Sequence, residues 1–209
     1  HDALTGLANR NKLSRFLEQT LLKGPEAPPL TLILLDLDSF KPINDSLGHA
    51  AGDAVLLEVA ARLRDSTRDG DLVARLGGDE FVLVIAKLDN RNEIDRFCAR
   101  LIQSLHQPIL YEEHSLHIGA SLGIAQTRLQ GTDAGELIRC ADIALYQAKA
   151  EGKNTWRYFS EEMNQQIQYR RQLENDLRRA VKNHEFILHF QPRYRLQTLE
   201  IVSVETLVR

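Results

Sequence analysis

The 209-residue chain has the length of one well-packed globular domain with a short additional segment. Hydrophobic residues make up 43% and charged residues 26%, and 26 basic against 29 acidic residues give a net charge of −3. Because there is no basic surplus and no polybasic run, we expect neither a nucleic acid polymer nor a membrane surface as a direct partner. The absence of a signal peptide and of a long apolar run favours a cytoplasmic location, although upstream segments of a parent protein could anchor it.

The hydrophobic periodicity predicts alternating helices and strands over the first three quarters of the chain. Cys98 and Cys140 fall on apolar helical stripes and are expected to be buried free thiols. The order of elements favours an α+β sandwich, in which helices pack on one sheet that contains antiparallel strands. In chain order the prediction is a helix, a buried strand at 31–35, a helix opened by Asp53 as N-cap, a Gly77-Gly78 hairpin of strands 72–76 and 81–86, a helix from Asn92, a strand at 117–126, and a helix from Asp133 to near Gly152.

The remaining segment has a different character. Residues 160–183 predict a charged helix with a thin apolar seam, which is typical of a connecting helix. Two alternating strands are predicted at 186–190 and 201–208. Because two strands bury too little to form a domain, the chain is expected to stop within a fold.

Acidic residues stand at the ends of two predicted strands. Asp36 closes the buried strand, and Asp79 and Glu80 directly follow the Gly77-Gly78 turn. If adjacent strands bring these carboxylates together, their hard oxygens suit Mg²⁺, which would polarise a phosphoryl group and activate an attacking hydroxyl. Acidic residues also gather at turns for solubility and turn chemistry, so spacing alone leaves both interpretations open.

The segment 39–45, directly after the acidic strand end, is predicted to be a loop whose backbone N–H groups could receive an anion. Asn44 and Asp53 carry the amide and the carboxylate that would pair with a guanine edge. A turn at 44–45 and a helix cap at Asp53 explain the same residues without a ligand.

Two lysines, Lys149 and Lys153, lie four residues apart at the end of the last predicted domain helix. Cations are favoured at a helix C-terminus and need no ligand there. The same side chains could reach the terminal phosphates of a nucleotide, and spacing alone does not distinguish the two roles.

Five segments of the chain match, in order and in spacing, the motifs of one protein family. Together they resemble the GGDEF family of diguanylate cyclases over about residues 1–158, and five motifs in register make a chance match improbable. The segments are Asp2-Ala3-Leu4-Thr5-Gly6-Leu7-Ala8-Asn9-Arg10, Asp36-Leu37-Asp38-Ser39-Phe40-Lys41-Pro42-Ile43-Asn44-Asp45, Gly48-His49 with Gly52-Asp53, Arg75-Leu76-Gly77-Gly78-Asp79-Glu80-Phe81, and Asp142-Ile143-Ala144-Leu145-Tyr146-Gln147-Ala148-Lys149 with Gly152-Lys153-Asn154.

The resemblance implies a ferredoxin-like fold similar to the adenylyl cyclase core and the polymerase palm, with a mostly antiparallel sheet flanked by helices. It implies that two GTP molecules, one on each domain of a homodimer, are joined into cyclic di-GMP with release of pyrophosphate. It also implies roles for single residues. The implied Mg²⁺ (or Mn²⁺) ligands are Asp36, the Leu37 carbonyl, Asp79 and Glu80, with Asp79 and Glu80 as the catalytic pair; the guanine contacts are Asn44, Asp53 and nearby His49; the phosphate contacts are the backbone of Ser39, Phe40 and Lys41 together with Lys149 and Lys153.

Arg68 and Asp71 form an Arg-x-x-Asp pattern shortly before the Gly-Gly turn. It resembles the family's inhibitory product site, where cyclic di-GMP binds, and an Arg fork suits guanine and phosphate acceptors. A simple charge pair in a loop is the alternative interpretation, which we consider less favoured.

The C-terminal residues resemble the start of an EAL phosphodiesterase domain. The resemblance lies in Phe190-Gln191-Pro192 and in Glu205-Thr206-Leu207-Val208-Arg209, where Thr206 replaces the usual Ala. We therefore expect a GGDEF domain at 1–158, a connecting helix at 159–183 and a truncated EAL start at 184–209.

Three functions are compatible with these features. The unaltered segment 77–81 favours an active cyclase. The main alternative is a catalytically silent GTP-binding module that tunes an attached phosphodiesterase. An effector that only binds cyclic di-GMP through Arg68 and Asp71 is a third alternative, which the complete catalytic set disfavours.

Overall fold

The computed structural model describes residues 1–22, 28–130 and 133–209. These form two compact units, His1–Met163 and Asn164–Arg209. In chain order the elements are α1 (Arg10–Leu21), β1 (Leu30–Asp38), α2 (Phe40–Leu47), α3 (His49–Asp65), β2 (Leu72–Gly77), β3 (Glu80–Ala86), α4 (Arg91–Leu105), β4 (Ile109–Tyr111), β5 (His114–Leu116), β6 (Gly119–Gln126), α5 (Thr127–Gln130), α6 (Ala134–Ala150), β7 (Trp156–Tyr158), α7 (Glu161–Lys182), β8 (Leu188–Tyr194) and β9 (Ile201–Val208).

The first unit is built on a five-stranded sheet in the order β2-β3-β1-β6-β7. Strand β1 is central and pairs antiparallel with both β3 and β6, whereas β7 is parallel to β6. All nine residues of β1 are buried, which explains why its sequence is almost continuously apolar. The predicted α+β fold with a mostly antiparallel sheet is confirmed.

Both faces of this sheet are covered, because successive residues of β1 point to opposite sides. Ile33 and Leu35 belong to one hydrophobic cluster, which includes buried residues of α3 and α4. Leu32 and Leu34 belong to a second cluster, which includes buried residues of α1 and α6. Each face of the sheet is therefore covered by the apolar stripes of two helices, and the acidic end of β1 lies at one end of this sandwich.

Helix α6 approaches the sheet at Gly123 of β6. A Cβ atom at that position would overlap the carbonyl oxygen of Ala141 and the backbone nitrogen of Leu145, and would lie 2.8 Å from Leu145 Cβ. Asp133 caps the same helix, as its side chain accepts a hydrogen bond from the backbone N–H of Glu136. The approach at Gly123 sets where α6 lies against β6, and the Asp133 cap sets where the helix begins.

The helix predicted to open at Asp53 starts earlier, so the assignment of Asp53 as N-cap is wrong. Helix α3 begins at His49, and Gly48, with φ of 83°, is both its N-cap and the C-cap of α2. The loop predicted at 39–45 is likewise wrong beyond Ser39, because Phe40 starts α2. The two helices are separated by Gly48 alone, whose positive φ allows the chain to turn sharply between them. The sequence pattern did not indicate this corner.

Three short strands, β4, β5 and β7, and the four-residue helix α5 were not predicted, and one strand was predicted too long. The small β4–β5 hairpin precedes β6, and β6 begins at Gly119 instead of residue 117. Ile118 is buried in the core without belonging to a ladder, so its apolar character extended the prediction. The three-residue strand β7 adds the parallel edge of the sheet.

The second unit contains an antiparallel pair, β8 and β9. The predicted helix at 160–183 corresponds to α7, but the strand predicted at 186–190 lies at Leu188–Tyr194 instead. It continues through Pro192 because each strand of a two-stranded ribbon is an edge, where a missing N–H is tolerated.

Within the described ranges, no helix has the length and apolar character needed to cross a bilayer. Cys98 and Cys140 are buried free thiols, as predicted, and burial raises the pKa of Cys98 to about 12.

Candidate active site

The acidic end of β1 meets the turn between β2 and β3. In the β1–β3 register Asp36 lies directly opposite Glu80, and the backbone N–H of Leu37 donates to the carbonyl oxygen of Asp79 at 3.3 Å. The turn is possible because Gly77 and Gly78 have φ values of 142° and 54°. Antiparallel pairing thus brings together carboxylates that lie more than forty residues apart in the sequence.

Two carboxylates of this end have raised pKa values. Burial raises the pKa of Asp36, the Lys149 ammonium opposes that rise, and the charges of Asp79 and Asp38 add to it. Burial also raises the pKa of Glu80, with further contributions from neighbouring carboxylates, first among them Asp36. Several carboxylates therefore act on one another at this end, and the Lys149 ammonium opposes their effect.

Lys149 supplies the direct counter-charge. Its Nζ lies 2.7 Å from Oδ2 of Asp36, and the two side chains are 38% and 12% exposed. Lys153 lies in the turn that follows α6, where it has φ of 64° and its backbone N–H donates to Ala148. The Lys153 ammonium forms no ion pair within the described ranges.

The donor set fits a hard divalent cation. In the part of the chain that the structure describes, no three acidic, histidine or cysteine side chains converge to enclose a metal ion. Mg²⁺ does not need such an enclosure, because it takes one or two carboxylates and completes its octahedron with waters and substrate phosphates. The mutually repelling carboxylates of Asp36 and Glu80 are oxygen donors of that kind.

Asp38 has a different role from Asp36. Its Oδ1 accepts from Ser121 Oγ at 2.8 Å, and its Oδ2 accepts from the backbone N–H of Asn154 at 2.8 Å. Both oxygens are therefore used within the fold, and the second bond ties the segment after Lys153 to the end of β1. Neither Asn154 nor Ser121 was singled out from the sequence, although Asn154 belongs to a recognised motif.

The turn carrying Asp79 is braced from the N-terminal segment. The Arg75 guanidinium donates to the carbonyl of Gly78 at 2.8 Å and to Asp2 Oδ1 at 3.1 Å. Although burial raises the pKa of Asp2, hydrogen bonds from Thr5 and Arg75 lower it overall. Asp2 and Arg75 thus support the turn from outside. Both belong to the motif segments, but the sequence alone suggested no role for either.

The segment after β1 presents the start of a helix. Ser39 is in the left-handed region with φ of 62° and provides no side-chain cap, so the first N–H groups of α2 lack a capping partner. Phe40 is buried and anchors this end, whereas Lys41 is exposed. An uncapped helix N-terminus favours an anion, as expected for the backbone of 39–41.

Asn44 of α2 packs against Gly52 of α3. A Cβ atom at Gly52 would overlap Oδ1 of Asn44 and lie 2.9 Å from its Cγ, so the Asn44 side chain rests on the bare surface of α3. Asp53 follows Gly52 and is exposed, and His49 lies one turn earlier and is also exposed. The corner between α2 and α3 thus carries an amide, a carboxylate and an imidazole.

Arg68 and Asp71 lie apart from this corner, beyond the C-terminus of α3. The Asp71 carboxylate is 4% exposed and accepts from the backbone N–H groups of Arg68 and Ala86, whereas the Arg68 side chain is 70% exposed. Both residues line a cavity of about 500 Å³, which Arg96 and Arg100 of α4 also line. The sequence did not single out these two arginines, because helical spacing places them on the solvent-facing side of α4, where charged residues are common.

Residues 1–155 match the protein family described as "Diguanylate cyclase, GGDEF domain". The chain belongs to the GGDEF family of diguanylate cyclase domains. An uncharacterised signalling protein of Caulobacter vibrioides is 41% identical over all of this chain and 26% of the relative's length. The bifunctional diguanylate cyclase/cyclic di-GMP phosphodiesterase MucR of Pseudomonas aeruginosa is 38% identical over 100% of this chain and 30% of its own.

Solved GGDEF structures agree with the fold. The GGDEF domain of P. aeruginosa TpbB (YfiN) superposes with a TM-score of 0.76 at 36% identity, covering 80% of this chain and 99% of that one. The GGDEF domain of Caulobacter crescentus DgcB, solved in complex with cyclic di-GMP, has a TM-score of 0.69 at 26% identity, covering 75% of this chain and 91% of that one. The chain spans about a quarter to a third of the length of the curated relatives it matches.

Proposed function

We propose that this GGDEF domain is an active diguanylate cyclase that condenses two GTP molecules into cyclic di-GMP and pyrophosphate. One observation carries the proposal: strand pairing sets Asp36 against Glu80 beside the unaltered Gly-Gly-Asp-Glu-Phe turn, with Lys149 as counter-ion. A cluster of carboxylates in a partly buried site is what a cation-dependent phosphoryl transfer requires.

The metal ligands would be Asp36, the carbonyl of Leu37, Asp79 and Glu80. A bound Mg²⁺ (or Mn²⁺) would neutralise charge on the triphosphate and lower the pKa of the attacking hydroxyl. Each transfer forms a bond between the 3′-oxygen of one GTP and the α-phosphorus of the other, and breaks the bond to the β-phosphate, releasing pyrophosphate. Glu80 would either help to hold a second metal ion or accept the proton of the attacking 3′-hydroxyl.

The substrate contacts follow the geometry of the α2–α3 corner. Asn44 and Asp53 would read the guanine edge, with His49 beside them. The phosphates would meet the first N–H groups of α2 at Ser39, Phe40 and Lys41, and the ammonium groups of Lys149 and Lys153. These groups act mainly by positioning and by charge neutralisation, which dominate phosphoryl transfer.

Catalysis would require a homodimer, because one domain supplies one guanine corner and one acidic centre. Two domains must face each other so that each 3′-hydroxyl reaches the α-phosphorus held by the other. The reciprocal second attack then closes the ring.

The test is to incubate the chain at high concentration with GTP and Mg²⁺ and to assay cyclic di-GMP, beside Glu80→Gln. We expect product from the wild type and a loss of at least about a hundredfold in the variant, since it removes the metal ligand or proton acceptor. Equal product from both proteins would disprove the role given to Glu80.

A silent GTP-binding regulatory domain is the second candidate. Relatives named as cyclic di-GMP phosphodiesterases favour it, such as NbdA of P. aeruginosa at 38% identity and PdeR of Escherichia coli at 33%. It would replace the cyclase if no product forms while GTP still binds with an affinity that Asn44→Ala abolishes.

We also propose that the arginine-lined cavity binds cyclic di-GMP as an inhibitory product site. Arg68 would contact the ligand, while Asp71 holds the turn that presents Arg68. Product inhibition should disappear in Arg68→Ala with GTP turnover retained. Persistence of inhibition in that variant would place the product elsewhere.

We propose a GGDEF domain at 1–158, a connecting helix at 159–183 and the beginning of an EAL domain at 184–209. The β8–β9 ribbon supports the last assignment because it pairs Gln191 with Glu205, the polar residues of the two motifs. A location in the cytoplasm, where GTP is available, is part of the same proposal.

A further inference from the structure

Lys149 and Asp36 form an ion pair at the centre of the proposed catalytic site. The Lys149 Nζ lies 2.7 Å from Oδ2 of Asp36, at the distance of a direct charge-assisted hydrogen bond. Helix α6 is held against β6 by the close approach at Gly123, so the base of the Lys149 side chain is fixed. Its ammonium, on a flexible four-carbon stem and 38% exposed, is free to change partner.

This pair conflicts with a divalent cation on the same carboxylate. An ammonium and a divalent cation on one carboxylate group repel each other strongly in a partly buried site. Because Lys149 contacts Oδ2 of Asp36, this repulsion favours departure of the ammonium when a cation binds the same carboxylate. The other carboxylates that face the site, Asp79 and Glu80 beside Asp36 and Asp142 on α6, would share the incoming charge.

A nucleoside triphosphate offers the displaced ammonium another partner. Its phosphates carry several negative charges, and lysine binds phosphate as a compact point charge. Without nucleotide, a cation entering the site must break the pair with no compensating contact for Lys149. With nucleotide, the same exchange replaces one ionic contact by another.

We propose that Lys149 is an exchangeable counter-ion, which occupies Asp36 in the nucleotide-free domain and yields it to the divalent cation when a triphosphate binds. This proposal rests on the proposed metal site. Its consequence is positive cooperativity: nucleotide tightens cation binding, and by linkage the cation tightens nucleotide binding to the same extent. The domain then avoids loading a cation without its substrate.

The experiment measures Mn²⁺ binding from the EPR signal of the free ion, with and without a GTP analogue that carries a methylene group between the α- and β-phosphorus atoms. The proteins are the full chain, Lys149→Met, Lys149→Gln and the control Lys87→Met, an exposed lysine that follows β3 at the end opposite Glu80. Without analogue, both Lys149 variants should bind Mn²⁺ about fivefold more tightly than the wild type, since a partly exposed ion pair has been removed. The analogue should tighten Mn²⁺ binding less in these variants than in the wild type, and Lys87→Met should keep the wild-type affinity with and without analogue.

Two results would contradict these expectations, and Asp36→Asn distinguishes them. If Asp36→Asn loses Mn²⁺ binding but both Lys149 variants bind it no more tightly than the wild type, the exchange is wrong and the metal site stands. If Asp36→Asn binds Mn²⁺ as the wild type does in the presence of the analogue, the metal site is wrong and the proposed cyclase mechanism fails with it.

Discussion

Two aspartates at the end of β1 have different roles although they are only two residues apart. Asp36 faces Glu80 and the ammonium of Lys149, so its charge is available to an incoming cation. Asp38 gives both oxygens to Ser121 and to the backbone of Asn154, and so works within the fold. Identical side chains on the same face of a strand are thus separated in function by their partners alone.

Gly52→Ala tests whether this glycine positions Asn44. The methyl group would overlap Asn44 Oδ1 and force the amide away from the proposed guanine site. We expect the affinity for GTP to fall by about tenfold to hundredfold, as for one or two lost hydrogen bonds to a desolvated base edge. Titration calorimetry with GTP measures it.

Helix α3 itself should tolerate Gly52→Ala, because alanine is more favourable than glycine in a helix interior by about 1 kcal/mol. In an Asn44→Ala background, Gly52→Ala should have no further effect on GTP affinity. An equal loss in both backgrounds would show that Gly52 acts without Asn44.

Glu80→Gln should stabilise the fold near neutral pH. The folded-state pKa of Glu80 is raised above its ordinary value of 4.5, chiefly by burial and next by the carboxylate of Asp36. Ionised Glu80 therefore opposes folding above that raised pKa, and the opposition fades as the pH falls through it towards 4.5. Like charges directly opposite on paired strands suggest a gain of about 0.5 kcal/mol in the free energy of unfolding, reduced by solvent screening.

Urea unfolding at neutral pH and at about pH 4 would measure this difference. The gain should vanish at the lower pH, where wild-type Glu80 carries a proton. Exposed Glu113→Gln is the control and should change little at either pH. A gain that is independent of pH would mean that charge is not its cause.

Two glycines help to position these side chains, each in a different way. Gly48, with φ of 83°, separates α2 from α3 and so creates the corner where Asn44 of α2 rests on Gly52 of α3. Gly123 lets α6 lie directly on β6, which brings Lys149 to the end of β1. The first glycine supplies a backbone conformation that other residues rarely adopt, and the second supplies the space that a side chain would fill.

Gly123→Ala should destabilise the fold strongly. Its methyl group would meet the backbone of α6 at Ala141 and Leu145, which cannot move without displacing the helix. Overpacking against backbone suggests a loss of about 3 kcal/mol in the free energy of unfolding. Gly135→Ala in α6 is the matched control, where the added atom would meet only the Asp133 side chain at 3.2 Å.

Thermal and urea unfolding of both variants would measure these changes. The control should stay within about 1 kcal/mol of the wild type. If Gly123→Ala is as stable as the control, α6 does not depend on this close approach for its position.

At the scale of the whole molecule, the proposed reaction needs two copies of the domain, each of which holds one GTP and acts on the GTP of the other. The first unit carries one acidic centre at the end of β1 and one polar corner between α2 and α3. Joining two identical nucleotides therefore requires a second copy of the chain. The arginine-lined cavity lies beyond the other end of α3, away from the polar corner.

Turnover per chain should consequently rise with protein concentration. At dilutions below the dimer dissociation constant, the rate per chain should increase about in proportion to concentration, because the active species is formed by mass action. The affinity for a single GTP per chain should stay constant over the same range. A rate per chain that is unchanged by a hundredfold dilution would contradict the two-domain mechanism.

Much of the fold followed from the sequence because its strongest signals are local. The buried strand at β1, the hairpin around Gly77-Gly78 and the helix capped by Asp133 depend on periodicity and turn chemistry, which act over a few residues. The errors fall where long-range packing decides. Helix α2 begins directly after a left-handed Ser39, and β7 is only three residues long and exists because β6 offers it an edge.

The sequence by itself determined the family, the residue types of the candidate site and the order of the main elements, because motifs and periodicity are properties of the chain. Only the tertiary structure decided which carboxylate faces the site and which is used internally, how Asn44 rests on Gly52, and that Arg96 and Arg100 join Arg68 at one cavity. The physical reason is that these relations depend on strand register and helix packing, which bring together residues that are far apart in the chain.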